Sequence, residues 1–574
     1  MYIKKTKQKN NRIRLDVVEN YYDSEKKISK QITLKSIGYI DELEKEHKDP
    51  VAYYKNMILA YKEFIKDSPY PIALKFKANE KMTDMSLYER NFGFIVLSKI
   101  YHGLEIHKFL KNRQRHRNDN FNADELFKTL LNIQIVTKYD RTSWFQKKRN
   151  YTESELKEFF KFIHNNSFQM MKWINKHISS YYDRGTCYIY ENIGEFNFTE
   201  KKTATLTINR NNRYNQTRNS SYLSIYLDSS GVPYAFREVN KYNHLEDPKK
   251  FYAQLKEEMD IKNFVIVGDR TEESYEDINK RILANPKTRY IFAIDPIKTP
   301  DEVQNFILDK SGLKKYNDKT YYKTQNYIRN LSKDGKNKVV LEKHMLIIND
   351  TKKINDKLKR ENLIFKASRF IENAQYYHAQ HIGSEIEYIK KVVFNPNGTI
   401  DLENSILELN QEKIKKEEQF DGVKYIITND PKSSLARIIN IYYYQYSLEQ
   451  VLQNIKCTMN RPSEFFTPEE YSHYTNTTCL TTFMSLILIR LLYLAMNKKY
   501  TLPELLEAIN KYNCILIQQN YYLFTYYDNI IDDIGERMNI DLNVRIRTLK
   551  EIRQIFAQIK KTDFTDTDQT KPAS

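Results

Sequence analysis

Hydrophobic positions along the chain follow two different periods, and the changes between them divide it into segments. In residues 46–178, apolar side chains recur at three- and four-residue steps, which predicts helices. One of these helices begins at Thr152 with Glu155 three residues on, the spacing of a capping box, and we expect it to run, with a break, to His177. Ahead of them, residues 1–45 carry a basic arm and two short alternating runs that predict a strand hairpin.

Residues 179–300 change to the period of strands. The run Tyr-Tyr-Asp-Arg-Gly-Thr-Cys-Tyr-Ile-Tyr-Glu predicts a first strand carrying Asp183, and two alternating runs joined by a turn at Asp228 predict a hairpin. A helix is predicted over Asp247–Met259. The apolar run Phe-Val-Ile-Val-Gly-Asp then ends at Asp269, as buried strands do when they end at an active edge, and one further strand follows it.

A helix of about six turns is predicted from Ala436 to Cys457. Its apolar side chains form a stripe for packing. Four other side chains, spaced by about one and two turns, share one edge beside that stripe. They are Tyr442, Gln445, Glu449 and Lys456. A carboxylate and a lysine two turns apart beside a core-facing stripe indicate an edge with a function beyond packing.

Composition adds a strongly basic balance to this pattern. The chain has 574 residues, 40% of them hydrophobic and 29% charged, with a formal net charge of +18. This charge favours a polyanionic partner such as nucleic acid, although Lys, Asn, Ile and Tyr also share AT-rich codons, so part of the bias can be genomic. Four cysteines without a Cys-x-x-Cys pair argue against disulfides and cysteine-type zinc sites, and fit a reducing cytosol.

Two clusters of basic side chains occur in the helical region, and the second also contains Trp144. Lys and Arg contact phosphates, and an aromatic ring beside them stacks on an exposed base, so both clusters are candidate DNA contacts. A solvated charged loop is the alternative for each cluster taken singly. The candidates are Lys111, Arg113, Arg115 and Arg117 in the first cluster, and Trp144, Lys147, Lys148 and Arg149 in the second.

The helix predicted from Ala436 to Cys457 resembles the signature helix of a group of bacterial insertion-sequence transposases. Its order of Tyr, polar residue, Glu and Lys is similar to the Tyr-Arg-Glu-Lys signature of that group, with Gln445 at the Arg position. The strand predicted around Asp183 is similar to the first-aspartate strand of the group, although Gly185 stands where Thr is usual. The strand ending at Asp269 is similar to the second-aspartate strand. The Pro-Gly-Asn usual after the hairpin is only echoed by Lys241-Tyr242-Asn243.

This resemblance implies a DDE transposase that cuts and pastes DNA on an α/β, ribonuclease-H-like core. It implies Asp183, Asp269 and Glu449 as the catalytic and metal-binding triad, with two Mg²⁺ ions that Mn²⁺ can replace. Lys456, Tyr442 and Gln445 would contact the DNA backbone. The implied partners are double-stranded DNA, both element ends and target, and a second copy of the chain in a dimer. The implied location is the bacterial cytoplasm, at the nucleoid.

The resulting domain organisation has seven segments. In order, we expect a basic strand arm (1–45), a mostly helical DNA-binding region (46–178), the first part of a ribonuclease-H-like catalytic core (179–300), a mostly β insertion (301–430), the second part of the core with the Glu helix (431–500), a C-terminal helical region (501–559) and a disordered tail (560–574).

Three other interpretations stay open at this point. The first is a catalytically degenerate or domesticated copy that binds DNA without cutting it. The second is a metal-dependent nuclease with the same core and no strand transfer. The third, a membrane or structural role, rests on the apolar run Thr478–Met496, for which a buried core helix is the favoured interpretation.

Other polar residues suit structural roles better. Asp228 and Asp295 are expected in turns, and His378 and His381 lack neighbours that would complete a metal site. We expect no signal peptide, because no apolar run follows the basic N-terminus, and no nucleotide, because the sequence has no Walker-type glycine loop.

Overall fold

The computed structural model describes twelve stretches of the chain. These are residues 1–8, 11–23, 28–67, 89–136, 151–198, 204–207, 220–240, 248–284, 289–333, 336–454, 467–518 and 520–561. They fall into two compact units: a smaller one of Met1–Tyr88, Ile515–Leu523 and Arg545–Glu551, and a larger one of Glu89–Cys514, Phe524–Val544 and Ile552–Ser574.

The first part of the chain begins with a strand arm and continues mostly with helices. Its elements are β1 (Tyr2–Lys7), β2 (Ile13–Asp23), β3 (Ile28–Tyr39), α1 (Ile40–Leu43), α2 (Pro50–Asp67), β4 (Arg90–Asn91), α3 (Phe94–Gly103), α4 (Ile106–Gln114), α5 (Ala123–Val136) and α6 (Glu153–Ser179). The predicted hairpin is confirmed as β2 and β3, and β1 adds a third antiparallel strand beside β2, in the order β1-β2-β3. The capping box of α6 is also confirmed, with Thr152 and Glu155 each hydrogen-bonded to the other's backbone, and α6 runs unbroken.

The middle of the chain alternates strands with shorter helices. Its elements are β5 (Cys187–Phe198), β6 (Ala204–Thr207), β7 (Ser220–Leu227), β8 (Pro233–Asn240), α7 (Pro248–Met259), β9 (Phe264–Asp269), α8 (Tyr275–Ala284), β10 (Arg289–Ile294), α9 (Asp301–Leu308), β11 (Lys314–Asn317), β12 (Thr320–Lys333), β13 (Lys336–Asn349), α10 (Asp350–Glu372), β14 (Ile389–Lys391), β15 (Ile406–Leu409), α11 (Gln411–Glu418) and β16 (Val423–Thr428).

The last part is mostly helical. Its elements are α12 (Leu435–Asn454), α13 (Pro468–Ala495), α14 (Leu502–Lys511), β17 (Asn513–Gln518), β18 (Tyr521–Phe524), α15 (Asn529–Arg537), β19 (Ile546–Thr548) and α16 (Leu549–Ile559). The prediction of a purely helical C-terminal region was wrong for β17, β18 and β19. Ile- and Tyr-rich runs on either side of Asn520, which takes a left-handed backbone with φ of 79°, explain the first two strands.

A mixed sheet is the centre of the larger unit, which makes the fold α/β. Its described strands follow the order β11-β12-β13-β16-β10-β9-β5-β7-β8, with β6 paired to β5. The three strands β5, β9 and β10 run parallel to one another. The pairs β5/β7, β7/β8, β10/β16 and β13/β16 are antiparallel. The apolar runs of β9 and β10 are buried, as expected for parallel strands covered on both faces.

Helix α13 is a core helix, as the sequence predicted. It is long and apolar enough to cross a membrane, but 89% of its apolar window is buried inside the fold, which is consistent with a soluble protein. Two of its buried hydroxyls donate within the helix: Thr478 donates to the carbonyl of Tyr474 at 3.0 Å, and Thr482 to that of Thr478 at 2.9 Å. The buried Arg490 donates to the carbonyl of Ser230 at 2.8 Å.

A buried amide on α5 joins this hydroxyl network. Gln134 Nε2 donates to Thr481 Oγ1 at 2.9 Å, and Ser485 Oγ donates to Gln134 Oε1 at 3.1 Å. We expect Gln134→Ala to lower the free energy of unfolding by about 2 kcal/mol, because it leaves a cavity and removes the acceptor of the buried Ser485 hydroxyl. Urea denaturation measures the loss. The exposed Gln169→Ala on α6 is the control and is expected to change stability by less than about 0.5 kcal/mol.

Candidate active site

Asp269 lies at the carboxyl edge of the parallel strands, as the sequence predicted. It is the last residue of β9 and pairs with Ala293 of β10. Its carboxylate accepts four hydrogen bonds: from Lys424 Nζ at 2.8 Å, Tyr442 Oη at 2.9 Å, and the hydroxyl and backbone N–H of Thr271 at 2.7 and 3.1 Å. Burial acts to raise the pKa of Asp269, but Lys424 and the hydrogen bonds outweigh it and lower this pKa below its usual value.

Lys424 contacts the candidate site residue Asp269, and the sequence reasoning missed it. It lies on β16 between the buried Val423 and Tyr425, and only 14% of its side chain is exposed. A lysine inside a strand of buried apolar residues needs a partner, because burying an unpaired charge is costly. That position within the run Val-Lys-Tyr-Ile-Ile is the signal that could have indicated it.

Helix α12 reaches the site through its tyrosines. Leu448 and Leu452 are buried on its packing side, and Tyr190 of β5 donates its hydroxyl to the carbonyl of Ile441 at 2.7 Å. These contacts hold Tyr442 fully buried, with its hydroxyl on Asp269. The prediction that Tyr442 touches DNA backbone is therefore corrected: its hydroxyl faces a carboxylate inside the protein.

The remaining signature residues are only partly described. Glu449 lies in α12 seven residues beyond Tyr442, so both belong to one edge of the helix. The side chains of Glu449 and Gln445 lie outside the described residues, and so does the whole of Lys456. Their roles as third carboxylate and DNA contacts remain predictions.

Asp183 does not join Asp269. The predicted strand around Asp183 begins only at Cys187, which pairs with Phe264, the first residue of β9. Asp183 therefore lies before the amino ends of β5 and β9, while Asp269 lies at the carboxyl end of β9. The six residues of β9 span about 17 Å. The expectation that these two aspartates share one metal cage is corrected by this register.

The buried Arg184 explains why the loop stays at the amino end. Its Nε donates to Asp228 at 2.8 Å, its other groups donate to the carbonyls of Val232 and Pro233, and its guanidinium lies 3.8 Å from the ring centre of Tyr234. Asp228 also accepts from the backbone N–H groups of its own turn, which confirms its expected turn role. The residue that anchors this loop is therefore Arg184, the arginine after Asp183.

Asp183 itself is exposed and lines a cavity. Its carboxylate accepts from the N–H of Gly185 at 3.1 Å, where a φ of 65° suits glycine. The cavity has a volume of about 1120 Å³ and is also lined by Arg113, Lys172 and Trp173. The predicted catalytic aspartate thus shares a cleft of mixed charge with one of the predicted DNA-contact arginines, away from Asp269.

Glu191 is the carboxylate that β5 brings nearest to the β9 edge. Tyr190 pairs with Val267 in the last pair of the β5/β9 register, and Glu191 is the next residue of β5. Glu191 forms an ion pair with the buried Arg270. Because side chains alternate along a strand, Arg270 and Glu191 lie on the opposite face from Asp269. Burial raises the pKa of Glu191, but Arg270 and Arg281 lower it below its usual value.

The described residues do not fit a two-metal site. Within the described stretches, no group of three His, Cys, Asp or Glu side chains could hold a metal ion. Asp269 contributes one carboxylate, and an ammonium group already contacts it. Asp295, which follows β10, accepts from the N–H of Ile297 at 3.0 Å, as expected of a turn residue.

The first basic cluster is exposed at the end of α4, and the second cannot be placed. Lys111, Arg113, Arg115 and Arg117 are all exposed. Arg117 forms an ion pair with Asp119 at 3.0 Å, whereas Arg113 lies over the ring of Phe109. The cluster of Trp144, Lys147, Lys148 and Arg149 lies outside the described residues.

Comparison with known proteins adds little to this description of the site. No protein-family model matches the chain, and no curated protein matches it. Among solved structures, one similar chain is the Argonaute of Marinitoga piezophila in complex with a 5′-OH guide RNA and target DNA. It is 10% identical over 60% of this chain and 63% of that one, with a TM-score of 0.14. A likeness at this TM-score establishes no common fold.

Lys424→Met tests the ion pair at Asp269. The pair contributes stability above the usual carboxyl pKa, and this contribution is lost as the pH falls through the lowered pKa of Asp269. We therefore expect Lys424→Met to lower the free energy of unfolding by about 2 kcal/mol at pH 7, and by progressively less towards pH 3. Urea denaturation across this range measures the difference from the natural chain. The exposed Lys432→Met is the control, and a loss independent of pH would contradict the ion pair.

Arg184→Met tests the anchor of the Asp183 loop. It would leave Asp228, whose side chain is 0% exposed, as an uncompensated buried charge. We expect a loss of about 3–5 kcal/mol in the free energy of unfolding. Arg113→Met, which removes an exposed arginine, should cost less than about 1 kcal/mol. Equal effects of the two substitutions would show that the Arg184 contacts are not formed.

Proposed function

We propose that this chain is a DNA transposase of the Tyr-Arg-Glu-Lys group, acting through a ribonuclease-H-like core. The observation that carries the proposal is the 2.9 Å hydrogen bond from Tyr442 to Asp269. The two residues belong to separate parts of the signature, 173 positions apart in the chain. Their contact supports the idea that the signature describes one site.

The sheet supports the same proposal. Strands β5, β7 and β8 are antiparallel neighbours, and β9 and β10 then add in parallel on the other side of β5. This gives the spatial order third, second, first, fourth, fifth, which is the order of a ribonuclease-H-like core. Asp269 ends the fourth of these strands, where ligands of such sheets gather. The net charge of +18 fits a DNA partner.

The chemistry proposed is cleavage at the ends of the chain's own element and joining of those ends to target DNA, by a dimer with Mg²⁺ or Mn²⁺. The described residues offer one carboxylate to such ions, so a metal site would need Glu449 and a further ligand beside Asp269. Within the described site, Lys424 keeps Asp269 ionised and Tyr442 fixes the direction of its carboxylate.

A second candidate is a DNA-binding protein with this core and no cleavage. Two observations favour it. Asp183 precedes the amino end of β5, away from Asp269. The contact of Lys424 with Asp269 adds a cation where a metal would bind. A nuclease without strand transfer is a third form of the same proposal, and differs from the first only in making no joined products.

The deciding experiment uses the purified chain and a duplex that carries the DNA flanking its own gene. We expect Mg²⁺- or Mn²⁺-dependent cleavage and joined products, both lost in Asp269→Asn and in Glu449→Gln. Gel analysis of labelled strands measures both. Asp183→Asn is the matched control: its place at the amino end of β5 predicts undiminished cleavage.

Each other outcome has a definite meaning. Loss of cleavage in Asp183→Asn would show that the Asp183 loop reaches the site in the DNA complex. Binding without cleavage at every metal concentration would reject the transposase proposal and favour the DNA-binding protein. Cleavage without joined products would favour the nuclease.

A further inference from the structure

A groove lies beside the candidate site, formed by the start of α10, the β11–β12 turn and α12. We call it the lysine groove. Its volume is about 600 Å³, and the lining residues that matter here are Tyr316, Asn317, Lys352, Lys359, Lys424 and Tyr443. Sequence reasoning assigned none of these residues to a site.

The charge of the lysine groove is positive. Of the charged side chains that line it, three are lysines and one, Asp356, is acidic. Asp356 is already engaged, since it accepts from the ammonium of Lys352 and from the N–H of Gly422. Lys359 is exposed and forms no ion pair within the described part of the chain. The groove therefore presents a net positive charge, as an anion site requires.

Two exposed aromatic rings accompany the lysines. Tyr316 is 44% exposed and Tyr443 is 41% exposed, so each offers a large share of its surface to a ligand. Tyr443 also packs edge-on against Tyr442, the residue that contacts Asp269, with ring centres 5.3 Å apart. Lysines for phosphates and exposed rings for bases are the combination that binds single-stranded nucleic acid.

The groove opens onto the candidate active site. Lys424 lines it, and the same ammonium lies 2.8 Å from Asp269. A neighbouring cavity of about 310 Å³ shares Lys352, Lys359 and Lys424 and extends to Thr271. A phosphate entering the groove would therefore compete with Asp269 for Lys424.

We propose that the lysine groove binds a single strand of DNA, with phosphates at Lys352 and Lys359 and bases stacked on Tyr443 and Tyr316. Its volume of about 600 Å³ is that of a small-molecule pocket, which admits a few nucleotides of one strand and no duplex. The inference rests on the proposed function in taking DNA as the ligand. It gives the strand next to the site a defined path, ending at Asp269.

Binding of a labelled twelve-nucleotide oligothymidine to the full chain, followed by fluorescence anisotropy, tests the proposal. We expect Tyr443→Ala to raise Kd about tenfold. Lys359→Gln should weaken binding and reduce the slope of log Kd against log salt by about 0.7, the value for one phosphate contact with a single strand. Binding of a blunt duplex of the same length is measured in parallel, and the two substitutions should weaken it much less than they weaken oligothymidine binding.

Lys357→Gln is the matched control. It makes the same change on the same helix, but Lys357 does not line the groove and pairs with Glu361 at 3.8 Å. The proposal is overturned if Lys359→Gln and Tyr443→Ala both bind oligothymidine as the natural chain does, or if Lys357→Gln loses as much as Lys359→Gln. It is also overturned if both groove variants lose duplex binding equally.

The assay separates this proposal from the proposed function. Asp269→Asn should bind oligothymidine at least as tightly as the natural chain, because it leaves the lysines and rings of the groove in place and removes the carboxylate that competes for Lys424. Specific strand binding in a chain that never cuts DNA would support the groove and reject the transposase. Metal-dependent cleavage together with unaltered binding by the groove variants would support the transposase and reject the groove.

Discussion

The parallel pairing of β5 with β9 is the constraint on which the rest of the site depends. It brings β10 in beside β9, sets their carboxyl ends at one edge, and leaves Asp269 there between β16 and α12. The same register sends Asp183 to the far end. A single pairing thus decides which carboxylates can act together, whatever their order along the chain.

Three elements that are distant in sequence converge on the Asp269 carboxylate. Strand β9 supplies it, β16 supplies Lys424, and α12 supplies Tyr442. Because each contact is charged or charge-assisted and partly buried, together they stabilise the packing of β9, β16 and α12. The arrangement also makes the site dependent on Lys424, since a metal or a phosphate there must share or replace that ammonium.

Burial of charge is used repeatedly as an anchor in the larger unit. Arg184 holds the β7–β8 turn, and Arg270 holds Glu191 on the face opposite Asp269. Arg490 reaches from the core helix α13 to the carbonyl of Ser230. Removing either member of such a buried pair leaves a desolvated charge, so these arginines are structural even where a motif places them beside a candidate catalytic residue.

The sequence by itself determined the local elements. Apolar runs and caps gave β9 with its Asp269 end, α6 with its Thr152 cap, α12, and the buried character of α13, because period and capping are properties of neighbouring residues. Only the tertiary structure decided what meets across the sheet. Strand register placed Asp183 away from Asp269 and put Lys424 beside Asp269, because pairing between strands far apart in the chain leaves no mark on either strand alone. The packing of α12 against the sheet turned Tyr442 inward, which the sequence of the helix alone does not determine.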